Sequence, residues 1–299
     1  MSSFDDLFRQ ENEQPAPRND QPFDKEAWKQ QKQEQREMVY AMIDDTAQTV
    51  AQDGAAFQKY LDVQSRFDRY SVANALLILA QKPDATRIAD FDTWKEQGAF
   101  IRKKEIGFYI IEPGEEYQRE DGTVGISYNP KKMFDISQTG NSLKRETPTY
   151  PDNRTLIKAL MDHAPVPIHI SETLPEGTKA LYRPETREIQ IRKGMDADNI
   201  FRSLSQELSH AEMDKGNGSY SRSDYTFHAY CVSYMLCKQY GIDTNGYHFD
   251  RAPQMLEGRD AQAIRTELSV IREAAGEICG RMNRMLAQQR QQKQQEPER

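Results

Sequence analysis

Residues 205–214 read SQELSHAEMD. A histidine in place of Gln206 would make HELSH, the pattern in which two histidines four residues apart point the same way from a helix and share one zinc ion. The glutamate between them then acts on the zinc-bound water. The chain keeps that glutamate, Glu207, and the second histidine, His210, but not the first. Ile200, Leu204, Leu208 and Ala211 form an apolar stripe, and Gln206 and His210 lie roughly 200° round from Leu204 and Leu208 by helical geometry. Two directions are distinguished, as a zinc helix requires. Gln206 is a poor replacement, because its neutral, hard amide oxygen suits Ca²⁺ or Mg²⁺ better than zinc. The plainer reading of the same spacing makes Gln206, Glu207 and His210 ordinary polar residues on a half-exposed helix.

Outward from this helix, residues 223–240 form a second helix, and KALYRPETREIQIRK before it is a hairpin turning at Pro184–Thr186. A strand (VPIHI) and a helix (RTLIKALMDHA) precede the hairpin, and a last helix runs from about 260 to 287. Upstream, KEAWKQQKQEQREMVYAMIDDTAQTVAQ (25–52) holds strong helix formers without Gly or Pro. AAFQKYLDVQSRF is helical, and VANALLILAQ, with Ser71 placed to cap it, is apolar nearly all round and therefore buried. DFDTWKEQG is a short helix closed by Gly98. IGFYIIEP (106–113) is a strand, and GTVGISYNPKKMFDISQ continues in strands with turns at Asp121-Gly122 and Asn129-Pro130. No internal repeat is found. The expected organisation is α+β in two parts: a helical/β domain over 25–140, a linker over 141–153 and a second α+β domain over 154–287. The Gln/Glu-rich ends, 1–24 and 288–299, are expected to be disordered.

No apolar run approaches the length of a membrane span and the N-terminus has no charged-then-apolar signal pattern, so the expectation is a cytoplasmic protein with no membrane contact. Cys231, Cys237 and Cys279 are odd in number and lack CxxC spacing, which favours neither a disulfide framework nor a thiolate zinc site. A net charge of −7 argues against a broad basic face wrapping duplex DNA. Residues 61–112 hold eight Lys/Arg and eight Asp/Glu, so any nucleic-acid site there depends on arrangement rather than excess charge. There is no GxSxG, no GxxxxGK[ST] and no evident Cys–His pair.

The stretch RFDRYSVANALLILAQKPDATRIADFDTWKEQGAFIRKKEIGFYIIEPG (66–114), with KKMFDISQTG (131–140), resembles the N-terminal single-stranded-DNA-binding domain of ArdC-like antirestriction proteins. The features that match are YS-x-x-N before an apolar helix, Q-x-P-x-A-T, a W-x-x-x-G turn, a basic pair before a strand, and FDISQT. Residues 166–243 are similar to the ImmA/IrrE-type zincin-like metallopeptidase domain that follows it. The resemblance implies a protein of plasmids or integrative elements acting on incoming single-stranded DNA, as in conjugation. It also implies a third zinc ligand, a glutamate, at the place of Tyr230. With Gln206 and Tyr230 at two ligand positions, only His210 remains of three, Glu207 is vestigial, and the domain is a pseudopeptidase with no cofactor. His228 sits two residues before Tyr230, nearly opposite on the helix, and reads as a surface or capping residue. His248 would reach the site only if its loop folded back.

A single strand is held by aromatic faces that stack bases and cations that meet phosphates. Within the resembling segment the candidates are Arg66, Arg69, Tyr70, Asn74, Arg87, Trp94, Arg102, Lys103 and Lys104. Each has a structural alternative: Trp94 as a core anchor, Tyr70 as a cap on the buried helix, and Arg102-Lys103-Lys104 as a solvated turn. Two rival readings accompany single-strand binding. One is an active zinc peptidase with ligands among His210, Glu207, His228 and His248; the other is a module that holds a protein partner in the old peptidase cleft without cutting it.

Overall fold

The computed structural model describes residues 24–119, 121–140 and 149–295. The architecture is α+β, with two three-stranded sheets and helices in two compact units. The first unit takes residues 1–47 and 73–147 and the second takes 48–72 and 148–299. Helix α1 (Lys25–Gln52) runs from one unit into the other, as expected from its composition.

In the first unit, α3 (Val72–Gln81) buries Ala75, Leu76, Leu77 and Ile78, in keeping with its apolar sequence. The sheet is ordered β1 (Ile88–Ala89), β3 (Val124–Asp135), β2 (Phe108–Gln118), all antiparallel. β3 does not turn at Asn129-Pro130, contrary to expectation: Asn129 pairs with Glu112 and Pro130 with Ile111 inside a continuous strand. Pro130 is tolerated because the N–H and C=O of Ile111 face away from β3, toward the side chain of Asn74. A missing N–H at Pro130 therefore removes no ladder bond. The turn at Asp121-Gly122 does form, with Gly122 at φ +82° and the Asp121 carboxylate accepting the Thr123 N–H. Helix α4 (Phe91–Glu96) is capped by Asp90 and ends before Gly98 at φ +75°. It drops Trp94 into a small core with Ala99, Phe134 and Ile136.

The second unit holds α2 (Gly54–Arg66), α5 (Asn153–Met161), the sheet β4 (Ile168–Ser171), β6 (Glu188–Arg192), β5 (Ala180–Arg183), then α6 (Ala197–Met213), α7 (Arg222–Tyr240), α8 (Ala252–Leu256) and α9 (Ala261–Gln295). β5 and β6 form the expected hairpin, and β4 joins β6 in parallel. The segment 48–72, expected within a domain of residues 25–140, clusters instead with this unit. Its chemistry explains why. Phe57 packs on Phe227 and Phe249 at ring distances of 5.4 and 5.7 Å, Asp62 accepts the Tyr234 hydroxyl at 2.7 Å, and Arg272 donates to the Tyr70 carbonyl at 2.8 Å. Gly54 opens α2 where a Cβ would stand 2.5 Å from the Phe249 carbonyl oxygen, so no side chain fits. The last helix runs on to Gln295, through most of a tail expected to be disordered, while 296–299 and the expected tail over 1–23 lie outside the described residues. No described helix is long and apolar enough to cross a membrane.

Candidate functional site

Helix α6 buries its ExxH face. Leu204, Leu208 and Ala211 are buried as expected, but so are Ser205, Glu207, Ser209 and His210, with His210 fully enclosed. The half-exposed helix anticipated from the spacing is thus not what forms: α7 and β5 both pack on α6 and cover its second face. Ser205 and Ser209 adapt to this by bonding Ser233 on α7 and the backbone of Ser205, respectively. Of the five motif positions 206–210 only Gln206 stays partly accessible.

Burying Glu207 demands partners for its charge, and it has them. Arg222, at the first position of α7, donates to both carboxylate oxygens at 2.7 and 2.8 Å, a bidentate fork. The Tyr182 N–H on β5 adds a third bond at 2.7 Å. Arg222 lies beside the Tyr220 phenol, and the Glu207 carboxylate holds its guanidinium even more firmly protonated. Burial pushes the Tyr220 hydroxyl up to about 12, so it keeps its proton. The Tyr220 hydroxyl lies 2.8 Å from His210 Nδ1, a bond whose donor depends on the imidazole tautomer, and His210 Nε2 is buried without a partner. Burial first, then Arg222 and His228, lower the His210 pKa to about 3, so the ring is neutral.

A metal-ligating histidine normally donates its distal N–H to an acceptor and turns a lone pair to the ion. At His210, Nδ1 meets the Tyr220 hydroxyl and Nε2 has no partner, which fits either orientation of the ring proton. The donors at the other positions do not complete a zinc site. Both Glu207 oxygens are taken, Gln206 offers a neutral amide, and the Tyr230 hydroxyl accepts the His248 N–H at 2.7 Å while its ring packs on Tyr247 and Phe249. Among the described residues no three His, Cys, Asp or Glu side chains group to hold a metal ion. The donor set does not fit zinc. His228, expected on the surface, is buried and bonds Glu267 at 2.5 Å through Nε2, and Glu267 in turn pairs with Arg259. His248 is exposed.

The DNA-binding candidates divide between the units. Arg66, Arg69 and Tyr70 belong to the second, where the two arginines are exposed and Tyr70 sets its ring edge-on to Phe67 at 5.7 Å. In the first unit two candidates turn inward. Trp94 is fully buried and donates its indole N–H to the Phe134 carbonyl at 2.9 Å, and no face is left for a base. Asn74 spends its amide on the N–H and C=O of Ile111, at 2.8 and 2.9 Å. Gln81 does the same for Tyr109 two residues earlier, so α3 seals the outer edge of β2 with two side-chain amides. Arg87 lies over the Trp94 ring at 5.3 Å and bonds Gln97, and Arg102 is fastened to Glu105 and the Ser137 carbonyl. Arg87, Arg102, Lys103 and Lys104 remain exposed, with Lys104 at φ +69° in the turn before β2.

Arg222, Tyr220 and Tyr182 were not singled out from the sequence. Only an arginine opening the helix after the ExxH helix hinted at a partner for Glu207.

Residues 25–151 match the family model described as the N-terminal domain of anti-restriction factor ArdC. They form an ArdC N-terminal domain. Its span takes in the first unit from α1 onward and also the segment 48–72 that packs in the second. Two solved structures are similar to the chain, both of the antirestriction ArdC protein from plasmid R388. The metal-free one is 19% identical, covering 72% of this chain and 86% of that one at a TM-score of 0.48. The Mn(II)-bound one is 18% identical, covering 71% and 85% at the same TM-score. No curated protein matches the chain.

Proposed function

We propose that the protein binds single-stranded DNA as an antirestriction-type factor of a bacterial mobile element, and that its second unit is a zincin-like domain without peptidase chemistry. The first part is carried by the ArdC N-terminal domain over 25–151, the part of such proteins expected to hold a single strand. The exposed cations Arg66, Arg69, Arg87, Lys103 and Lys104 are available to phosphates, while Asn74 and Trp94 serve the fold.

The second part is supported by the donor set around His210: Gln206 offers a neutral amide, and the Tyr230 hydroxyl and ring are engaged by His248, Tyr247 and Phe249. Glu207 is fixed by the Arg222 fork and the Tyr182 N–H, which stabilise its charged form and weaken it as a base.

The test is equilibrium binding of the full chain to a single strand and to the matching duplex across a salt series. The expected result is tighter binding of the single strand, tolerant of sequence and weakening with salt. Equal affinity for both forms at low salt, lost at moderate salt, would contradict the proposal.

A further inference from the structure

A groove in the first unit, between the start of α1 and the middle of β3, is untouched by the site above. Trp28, Lys29, Lys32 and Arg36 line it from the helix and Asn129 and Pro130 from the strand, around a volume of about 370 Å³. The spacing 28, 32, 36 sets the indole and two cations along one helix face. Arg36 continues that face one turn on, lying over the Tyr40 ring at 5.8 Å. Its lining holds three cations and no carboxylate, in a chain of net charge −7. Lys131, next along β3, is by contrast already paired with Asp90 and Glu112.

The two tryptophans of the chain differ sharply: Trp94 is fully buried, whereas Trp28 is 47% exposed. A large ring left half in water contributes little to a core and offers a flat π-face. Beside three cations, that face matches a ligand that is itself flat, apolar on its faces and negatively charged along its chain.

We propose that this groove is a stacking site for single-stranded nucleic acid, with a base on Trp28 and phosphates meeting Lys29, Lys32 and Arg36. The proposal rests on the single-strand-binding reading above and places a contact on α1, ahead of every DNA candidate read from the sequence. A duplex, whose base faces are hidden, gains only the cation contacts there.

The full chain is titrated with an oligothymidylate, reading both the anisotropy of the labelled strand and tryptophan emission. With Trp94 enclosed, a stacked base quenches Trp28 alone. The wild type is expected to show quenching with the single strand and not with duplex. Trp28→Ala is expected to abolish the quenching and weaken binding about five- to a hundred-fold, the range that loss of one stacked base gives. Trp28→Tyr should restore most of the affinity. Replacing Lys29, Lys32 and Arg36 with Gln should reduce the slope of log affinity against log salt by about 2. Trp28 is an exposed helix residue, and unchanged circular dichroism shows that each variant is folded. Strand binding with unaltered emission, and equal affinity in Trp28→Ala, would overturn the groove while leaving single-strand binding in place. No strand binding by the wild type would overturn both.

Discussion

Two places in the molecule carry polar side chains into buried surroundings, and they satisfy them to different degrees. Along the edge of β2, Asn74 and Gln81 each give one amide donor and one acceptor to a backbone N–H and C=O, and every group finds its complement. Around α6, Arg222 forks onto Glu207 and, beside it, the Tyr220 hydroxyl meets His210 Nδ1, and the chain ends on a buried Nε2 with nothing to meet. His228 leaves a second such nitrogen, Nδ1. Native interiors leave few polar atoms unpaired. The edge clamp looks like a solution to folding alone. The α6 chain ties β5, α6 and the start of α7 together and is one bond short of completion.

The largest effect should come from breaking the α6 chain at its charged link. Arg222→Ala leaves Glu207 buried as a charge with only the Tyr182 N–H, and should cost about 3 kcal/mol in urea unfolding. That is the low end for a severed buried pair, because the Arg222 side chain is 38% exposed. Little or no loss would mean that Glu207 is free to act. Asn74→Ala strands two buried backbone groups and should cost about 2–4 kcal/mol, whereas Gln81→Ala, at a half-exposed position that water can reach, should cost about 1 kcal/mol. Affinity for a single strand should barely change in a folded Asn74 variant; a large loss of binding without loss of stability would return Asn74 to the DNA site.

A smaller, pH-dependent effect separates the two regions further. His210 is neutral in the folded chain down to about pH 3, while the unfolded chain protonates its histidine near the ordinary value. The unfolded state therefore binds more protons as pH falls below about 6.5, and stability is lost in that direction. Between roughly pH 6 and 4.5 the contribution approaches 1.4 kcal/mol per pH unit. Unfolding of His210→Gln followed over the same window should show a flatter slope; an identical slope would place the titration elsewhere.

Much of this was legible in residue order. The helices at 25–52, 72–81 and 197–213 and the hairpin after Ala180 follow from helix formers, caps and turn residues that act over a few positions. What was not legible depended on distant partners. Pro130 reads as a turn until Asn74 is known to occupy the far side of Ile111. Gln48–Val72 reads as part of the N-terminal domain until Phe227, Phe249 and Tyr234 are brought to it. The Arg222 fork on Glu207 was not legible, because nothing in its local pattern ties it to Glu207 fifteen residues away. What the residue order does carry is the replacement, by Gln206 and Tyr230, of two ligands that the resemblance implies.

The most direct test of that replacement is a calorimetric titration of the full chain, purified without chelator or histidine tag, with Zn(II) and with Mn(II), alongside its metal content as isolated. The expected result is no stoichiometric site for either ion, with binding appearing only in a Gln206→His, Tyr230→Glu double variant. Near-stoichiometric metal in the parent, lost in His210→Gln, would contradict the account and show that His210 serves as a metal ligand.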